Sequence, residues 1–262
     1  MKVICLGSGS SGNSYVIKSN NSSLLIEVGF DFKKLVKKLH KNNIALADIN
    51  TVLITHSHND HALALNDLKD LGIESYSPYT NSNKDNNFYN LTNNDKFEIN
   101  FFPVCHDVSA VAYDILLKDT NERILFINDT SCCYIPKQVL NRQYDYIFIE
   151  CNHTRRKLRE LMEHADEQKL KKLDRQIKFH LSLAGTKKML SYLDLSNTKA
   201  IYLMHLSQEA SDPKLMQQVV ESTFKIKTYI CKREGDFEWW TKKLKKKNVV
   251  CKKWISLMQK NN

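Results

Sequence analysis

The chain has 262 residues, of which 42% are hydrophobic and 26% charged, and its formal net charge is +10 at pH 7. This length allows one large domain or two small ones, and the hydrophobic content is sufficient for a packed core. Its apolar stretches are shorter than the ~18 residues that a membrane-spanning helix needs, and the N-terminal one is too short for a signal peptide. Seven scattered cysteines without a CxxC pair predict free thiols in a reducing compartment. We therefore expect a cytoplasmic protein with no membrane partner.

The positive charge is concentrated near the C-terminus. Residues 241–262 contain eight lysines and no aspartate or glutamate, which leaves a net charge of only about +2 for the preceding residues. We therefore expect a main domain over residues 1–230 and a basic extension over residues 231–262. Such an extension suits a polyanionic partner such as nucleic acid, although a bare lysine run is equally typical of a solvated terminus.

The N-terminal segment begins with a strand pattern, KVICLG, followed by the loop sequence SGSSG. Its G-x-G-x-x-G spacing matches a dinucleotide-binding fingerprint, which requires a helix immediately afterwards. Residues 13–17 are instead typical of a strand, and a polar turn then leads to a second strand, LLIEVG. The pattern predicts a hairpin and argues against a nucleotide-binding fold. The glycines then allow a tight loop, in which Ser11 and Asn13 are candidate substrate-binding residues.

The rest of the chain alternates between helical and strand patterns. Helices are predicted over residues 30–43, 62–71, 154–178 and 183–193. Strands are predicted over residues 51–55, 99–104, 111–117, 123–127, 146–150 and 200–204. A surface loop that contains an edge strand is predicted over the Asn- and Asp-rich residues 80–100. This order is typical of an α/β domain.

Five of the predicted strands are followed by a residue of a metal-ligand type, namely His56, His106, Asp129, His153 and His205. A single histidine at a strand end is usually a hydrogen-bonded structural residue. Five such residues are difficult to explain by chance, because binding sites in layered α/β proteins are built where strands end at one edge of a sheet. We therefore expect these side chains to approach one another.

The segment THSHNDH, residues 55–61, contains the densest group of ligand-type residues. Imidazoles and carboxylates are costly to bury unless each finds a partner. His56 and His58 can face one ion, because residues i and i+2 of an extended segment point the same way. Asp60 and His61 can reach a second ion, and Asp129 can bridge the two. Imidazole with carboxylate suits zinc, and also manganese or iron.

Four residues close to these strand ends have predicted roles other than binding a metal. His180 in FHLS and His153 in ECNH are candidates for contacting a phosphate or protonating a leaving oxygen, and a supporting structural imidazole is the alternative for each. Glu150 is predicted to bond backbone groups near the site. Cys105 is predicted to lie in the core, because strand alternation would turn it away from His106.

The motif His56-x-His58-x-Asp60-His61, followed in order by His106, Asp129 and His205, resembles the signature of the metallo-β-lactamase superfamily. The segments GSGSSGNS, ECNH, HLS and IYLMHLSQE also resemble its YycJ-like exonuclease branch, a bacterial and phage branch that includes metal-dependent DNA exonucleases. The resemblance covers roughly residues 1–215. It implies an α/β fold in the form of a four-layer αββα sandwich with mixed sheets and with the metals at one edge.

The resemblance also implies a ligand set for two divalent metal ions, with zinc expected first and manganese as the alternative. One ion would be held by His56, His58 and His106. The second would be held by Asp60, His61 and His205, with Asp129 bridging. The chain departs from the family at Glu27, where an aspartate is usual. An aspartate at position 129, where true lactamases often have cysteine, argues against an antibiotic hydrolase.

We therefore predict a dinuclear metal-dependent phosphodiester hydrolase, a DNA nuclease of the exonuclease type, that acts as a monomer or homodimer. A metal-bridging hydroxide would attack phosphorus, with Asp60 and Asp129 orienting it and His180 or His153 assisting the leaving group. One alternative is a hydrolase of cyclic nucleotides or other small phosphodiesters. The other is a non-catalytic, metal-containing module that binds nucleic acid.

Overall fold

The computed structural model describes residues 1–20, 22–77, 88–131 and 134–235, together with the backbone of residues 237–240. The lysine-rich residues 241–262 of the predicted basic extension and much of the predicted surface loop lie outside this part of the chain. No helix among the described residues is long and apolar enough to cross a membrane.

The first sheet contains strands from the N-terminal third of the chain and one strand from near its C-terminus. In chain order these are β1 (Lys2–Gly7), β2 (Ser14–Lys18), β3 (Ser23–Ile26), β4 (Thr51–Leu53), β5 (Ser75–Tyr76) and β13 (Phe237–Trp240). Their spatial order is β13-β1-β2-β3-β4-β5. β1, β2 and β3 pair antiparallel, whereas β3, β4 and β5 pair parallel. The prediction of a hairpin after the glycine loop is therefore confirmed.

The second sheet is formed by the middle and C-terminal parts of the chain. It contains β6 (Tyr89–Asn93), β7 (Phe97–Val104), β8 (Ala110–Leu117), β9 (Glu122–Ile127), β10 (Tyr146–Glu150), β11 (Ala200–Met204) and β12 (Thr228–Ile230). In space, the strands lie side by side in their chain order, with β12 at one edge of the sheet and β6 at the other. Strands β6 to β9 pair antiparallel, and strands β9 to β12 pair parallel. Both sheets are therefore mixed.

The helices differ from the predicted ones mainly in where they break. They are α1 (Phe32–Lys41), a 3-10 turn (Leu46–Asp48), α2 (Asn59–Ala62), α3 (Leu65–Asp70), α4 (Lys137–Leu140), α5 (Arg155–Met162), α6 (Glu167–Phe179), α7 (Leu183–Leu190) and α8 (Pro213–Phe224). The single helix predicted over residues 154–178 is wrong, because Asp166 accepts a hydrogen bond from the backbone N–H of Lys169 and starts a new helix there. The helix predicted over residues 62–71 is shorter than expected: α3 covers Leu65–Asp70, and a separate short helix, α2, ends at Ala62.

Three apolar clusters hold four layers together. The central cluster joins the inner faces of the two sheets, where the rings of Tyr15 and Phe126 meet edge to face with centroids 5.5 Å apart. A second cluster packs α4, α7 and α8 against the outer face of the second sheet. A third packs α1 and α3 against the outer face of the first. The predicted αββα sandwich with mixed sheets is confirmed.

Candidate metal centre

The predicted ligand-type residues come together at one edge of the sandwich. Within the described residues, ligand atoms of His56, His58 and His106 lie within 4.8 Å of one another, and so do those of Asp60, His61 and His205. His153 belongs to neither group. The parallel strands β4, β9 and β11 end at this edge, so the residues that follow them face a common space.

The first group surrounds a small space between three imidazoles. His56 Nε2 lies 3.0 Å from His58 Nδ1, and the ring of His106 lies 4.9 and 5.1 Å, centroid to centroid, from those of His56 and His58. The carboxylate of Asp129 approaches from the other side, with Oδ2 at 3.7 Å from His56 Nε2 and 3.8 Å from His106 Nε2.

The second group shares this carboxylate. Asp60 Oδ2 lies 3.5 Å from His61 Nε2 and 3.6 Å from His205 Nε2. Asp129 Oδ2 lies 3.2 Å from His61 Nε2, while its Oδ1 lies 3.3 Å from His205 Nδ1. The Asp129 carboxylate therefore lies between the two groups, as a bridging ligand would.

The buried ligand atoms of these groups fit divalent cations. His106 Nε2, His205 Nε2 and Asp129 Oδ1 are buried, and within the described residues they make no hydrogen bond of good geometry. Leaving such atoms unpaired in a folded protein costs about 1–3 kcal/mol each, so a cluster of them at one place calls for a partner. Imidazole nitrogen with carboxylate oxygen is the donor set that zinc and related ions prefer.

The charges of the cluster are strongly interdependent. Burial lowers the pKa of His205, but the carboxylates of Asp129, Asp60 and Glu150 together outweigh it and raise that pKa to about 10. For Asp129, burial raises the pKa, while His205 and His61 hold it well below its usual range. His56 has a lowered pKa, because burial and the neighbouring His61 both disfavour its charged form. The carboxylates are therefore ionised and ready to serve as ligands.

A buried carboxylate orients two of the imidazoles. Glu27 Oε1 accepts a hydrogen bond of 2.5 Å from Thr55 Oγ1, which leaves that hydroxyl to accept from His56 Nδ1 at 2.9 Å. The same Oε1 lies 3.3 Å from His61 Nδ1. These contacts favour protons on Nδ1 and leave the Nε2 lone pairs of His56 and His61 as the ligand atoms. In this structure Asn13 Nδ2 lies 3.0 Å from His61 Nε2, which a bound ion would displace. The sequence marked Glu27 only as a departure from the family and gave no role to Thr55.

His106 is oriented in the same way from another part of the chain. Its Nδ1 donates to the carbonyl oxygen of Phe179, the last residue of α6, at 3.2 Å. Cys105, which precedes it, is exposed, so its predicted place in the core is wrong. The reason is that β7 ends at Val104, and strand alternation no longer applies one residue later.

Asn13, which follows the glycine-rich loop, holds the segment that carries Asp60. Asn13 is fully buried, with Oδ1 accepting from Gly9 N at 2.7 Å and Nδ2 donating to Asp60 O at 3.1 Å. Its predicted contact with substrate is therefore wrong, because both ends of the amide are used inside the protein. Ser11, the other candidate in the loop, is exposed and accepts a hydrogen bond from Arg233 Nε at 2.9 Å.

Three residues at the site have left-handed backbone conformations, with φ of 64° at Glu27, 45° at Asp129 and 52° at His205. Each lies one or two residues beyond the end of a strand. Such conformations cost non-glycine residues on the order of 1–3 kcal/mol and are found mainly where function requires them. These conformations direct the three side chains into the common space, and no pattern in the sequence predicted the conformations.

A second carboxylate–histidine pair adjoins the cluster. Glu150 is fully buried, accepts hydrogen bonds from the backbone N–H groups of Thr130 (2.9 Å) and Leu181 (3.2 Å), and also lies 2.6 Å from His180 Nδ1. Burial lowers the pKa of His180, but the charge of Glu150 outweighs it and raises that pKa. The His180 ring stacks on His205 at 5.1 Å. The expected backbone contacts of Glu150 are present, and its contact with His180 is additional.

An open cleft of about 570 Å³ leads to His180 and His205. One face of α6 lines it with Gln168, Lys169, Lys172, Arg175 and Gln176, and Arg233 contributes from outside the helix. Asp166 and Glu209 add two carboxylates to the lining, and Glu209 pairs with Lys169 at 2.8 Å. Arg175 binds Asp107, with Nε at 2.8 Å from Oδ2, and Asp107 Oδ1 in turn lies 3.4 Å from His58 Nε2. We refer to this space as the α6 cleft. No pattern in the sequence predicted this cleft.

Comparisons with known proteins agree with this architecture. Residues 7–76 match the family model of the metallo-beta-lactamase superfamily. The chain is 29% identical over 226 residues to exodeoxyribonuclease WalJ from two strains of Streptococcus pneumoniae, a match that covers 79% of this chain and 82% of that protein.

Solved structures show the same fold. The metallo-beta-lactamase fold protein YhfI from Bacillus subtilis superposes with a TM-score of 0.62 at 17% identity, over 91% of this chain and 98% of that one. A diphosphatase from the PhnP family superposes with a TM-score of 0.56 at 15% identity, over 91% of this chain and 96% of that one. The family motif, the αββα sandwich and the clustered histidines and aspartates agree with these matches, so the chain has the metallo-β-lactamase fold and is similar to that superfamily and to an exodeoxyribonuclease within it.

Proposed function

We propose that the protein is a dinuclear metal-dependent phosphodiester hydrolase that degrades DNA from an end. The observation that carries the proposal is the carboxylate of Asp129, which lies between two groups of buried ligand atoms at the end of a cationic cleft. The likeness to an exodeoxyribonuclease supports DNA as the substrate.

The residues that would hold the ions are those of the two groups. His56, His58 and His106 would hold one ion, and Asp60, His61 and His205 the other, with Asp129 shared between them. Such a pair supplies Lewis acidity to a phosphoryl oxygen and lowers the pKa of water. Zinc is the ion we expect first, and manganese is the alternative, since both accept imidazole with carboxylate.

The protein's own groups would orient the reaction. Asp60 and Asp129 would accept hydrogen bonds from the attacking water and fix its direction. His180 is the better candidate for protonating the leaving oxygen, because Glu150 holds its Nδ1 and its ring lies 5.4 Å from that of His106. We assign His153 a different role below. Glu150 would keep the His180 ring in place, as second carboxylates do beside catalytic histidines.

The α6 cleft is suited to a polyanion more than to a small cyclic phosphodiester. Lys172 on α6 and Arg233 carry no ion pair within the described residues and would contact phosphates directly. Lys169 and Arg175 are paired with Glu209 and Asp107, and a strand would compete for them. We propose that residues 1–230 form the catalytic domain, and that the basic extension over residues 231–262 adds salt-dependent affinity for the strand. The protein would act in the cytoplasm as a monomer or homodimer.

The direct test is degradation of end-labelled DNA by the metal-loaded protein, with RNA, cyclic nucleotides and a nitrophenyl phosphodiester as competing substrates. We expect release of short products from DNA, with a rate that His180→Gln reduces by about 100-fold or more. His164→Gln is the matched control, since His164 is exposed on the surface. Intact DNA with rapid hydrolysis of cyclic nucleotides would refute the proposal. Tight DNA binding without turnover would identify a non-catalytic binding module instead.

A further inference from the structure

A second pocket lies on the other side of His180 from the α6 cleft. It has a volume of about 310 Å³, near the lower limit for small-ligand sites. Helix α5, the end of α6 and the start of α7 enclose it, and we name it the His153 pocket. Its lining includes His153, Arg155, Arg159, Met162, Ile177 and His180. Because His180 lines both spaces, a strand bound in the cleft can reach the pocket past the candidate leaving-group acid.

The pocket contains a buried polar group with no protein partner. His153 is only 3% exposed, and its Nδ1 makes no hydrogen bond to any described residue. Its backbone is fixed, because its carbonyl accepts from Leu183 N at 2.8 Å and the residue bridges to Ser182. Burial lowers the pKa of His153 to about 4 and keeps the ring neutral; the nearby Glu150 opposes this, while His180 and Arg155 assist it. A fixed, neutral imidazole with an unused nitrogen is suited to one hydrogen bond with a ligand.

The pocket contains two arginines without an acidic partner among the described residues. Arg155 and Arg159 are one turn apart on α5, so their side chains lie on the same face. Neither makes a side-chain ion pair within the described part of the chain, whereas Arg156 and Lys157 on the same helix both pair with Glu160. No carboxylate is among the residues that line the pocket. Two arginines without acidic partners favour an anion, and their planar forks match phosphate.

The remaining wall of the pocket is apolar. Leu158 is buried, while Met162 and Ile177 are large apolar side chains that stand exposed at the rim. Such side chains can cover the face of a nucleobase, and arginine planes can stack on it. A phosphate site beside an apolar wall therefore matches a nucleotide more closely than it matches a free inorganic anion.

We propose that the His153 pocket binds the phosphorylated terminal nucleotide of a DNA strand and thereby sets the enzyme to act from an end. This rests on the proposed function. The terminal phosphate would be bound by Arg155, Arg159 and the ring of His153, and the terminal base would lie against Ile177 and Met162. The rest of the strand would continue along the α6 cleft, with the first phosphodiester bond at His180.

The first test is binding of a deoxynucleoside 5′-monophosphate and of a 3′-monophosphate to the full-length protein, measured by calorimetry. Arg155→Gln and Arg159→Gln should each weaken binding by about tenfold or more, because each removes a charge-assisted contact. Lys157→Gln is the matched control from the same helix, since Lys157 pairs with Glu160 and does not line the pocket. Thermal unfolding of each variant verifies that the fold is retained.

The second test uses oligonucleotides that carry a 5′-phosphate, a 3′-phosphate or hydroxyls at both ends. We expect one phosphorylated end to be degraded at least tenfold faster than its hydroxyl counterpart, with the preference lost in both arginine variants and kept in Lys157→Gln. The preferred end identifies the polarity. DNA cleavage with no such preference, and no arginine-dependent nucleotide binding, would mean that the pocket is only a packing void. Arginine-dependent nucleotide binding without DNA cleavage would instead refute the proposed function and leave the pocket assignment standing.

Discussion

Gly29→Ala tests whether backbone packing beneath the motif positions the metal ligands. A β-carbon added at Gly29 would lie 1.7 Å from the carbonyl oxygen of Asp60 and 2.8 Å from the backbone nitrogen of His61. Ordinary contacts begin near 3.4 Å, so the segment that carries Asp60 and His61 must move by roughly 1.5 Å. The clash is with main-chain atoms, which cannot rotate away as a flexible side chain can.

The expected cost is large on both stability and metal binding. Overpacking in a rigid site costs typically 1–3 kcal/mol, and we expect about 3 kcal/mol here because two backbone hydrogen bonds are also at risk. These are Val28 N to His61 O at 2.7 Å and Asn13 N to Asp60 O at 2.8 Å. A displacement of this size also separates Asp60 and His61 from His205, so the ion that they would share should bind at least 100-fold more weakly.

Urea unfolding and metal titration with a competing chelator measure the two effects. Gly72→Ala is the control without a clash: Gly72 has a positive φ, of 75°, and an added β-carbon would meet nothing within 4 Å. That variant should lose only about 1–2 kcal/mol from backbone strain and keep its metal affinity. The reasoning would be refuted if Gly29→Ala bound metal like the native chain, or if both glycine variants lost metal to the same extent.

Three further predictions concern other parts of the fold. Glu27→Gln should weaken metal affinity by about 10–100-fold in chelator competition, since Glu27 supports two imidazoles, and unchanged affinity would contradict that role. Asp114→Ala should destabilise the protein by about 2–3 kcal/mol in urea unfolding, because it leaves Arg123 and Arg142 without their buried partner, although both arginines are partly exposed and can regain water. In native protein at pH 8, iodoacetamide should modify the exposed Cys105 and spare Cys151, because burial raises the pKa of the Cys151 thiol to about 12. Equal labelling of the two in peptide mass spectra would contradict this burial.

The gathering of ligands was predictable because it follows from strand periodicity and topology. His56, Asp129 and His205 come after apolar runs that could only be buried strands, and parallel strands end at the same edge of a layered sheet. His58 could be added because alternate residues of an extended segment face the same way. The hairpin was predictable because polar turn residues separate two apolar runs.

The wrong predictions have local causes that the periodicity of apolar residues does not reveal. The helix predicted over residues 154–178 breaks where Asp166 caps a new helix. Cys105 was placed by extending strand alternation past the end of the strand. Asn13 was predicted to bind substrate because its loop is glycine-rich, whereas its side-chain amide donates to the backbone carbonyl of Asp60.

The supporting contacts could not be predicted because they join distant residues. Glu27 reaches Thr55 and His61 through a backbone conformation that side chains rarely adopt, and nothing in the local sequence requires it. The α6 cleft likewise combines one face of a helix with Arg233, which lies more than fifty residues later in the chain. Such contacts depend on packing in three dimensions and not on spacing.

The central claim is that two divalent ions occupy the cluster, and anomalous diffraction from crystals of the zinc- or manganese-loaded protein tests it most directly. We expect two peaks on opposite sides of the Asp129 carboxylate. One should lie among His56, His58 and His106, and the other among Asp60, His61 and His205. Substituting Asp129 by asparagine should reduce the occupancy of both peaks. A fully loaded crystal with no anomalous signal at this edge of the sandwich would contradict the account.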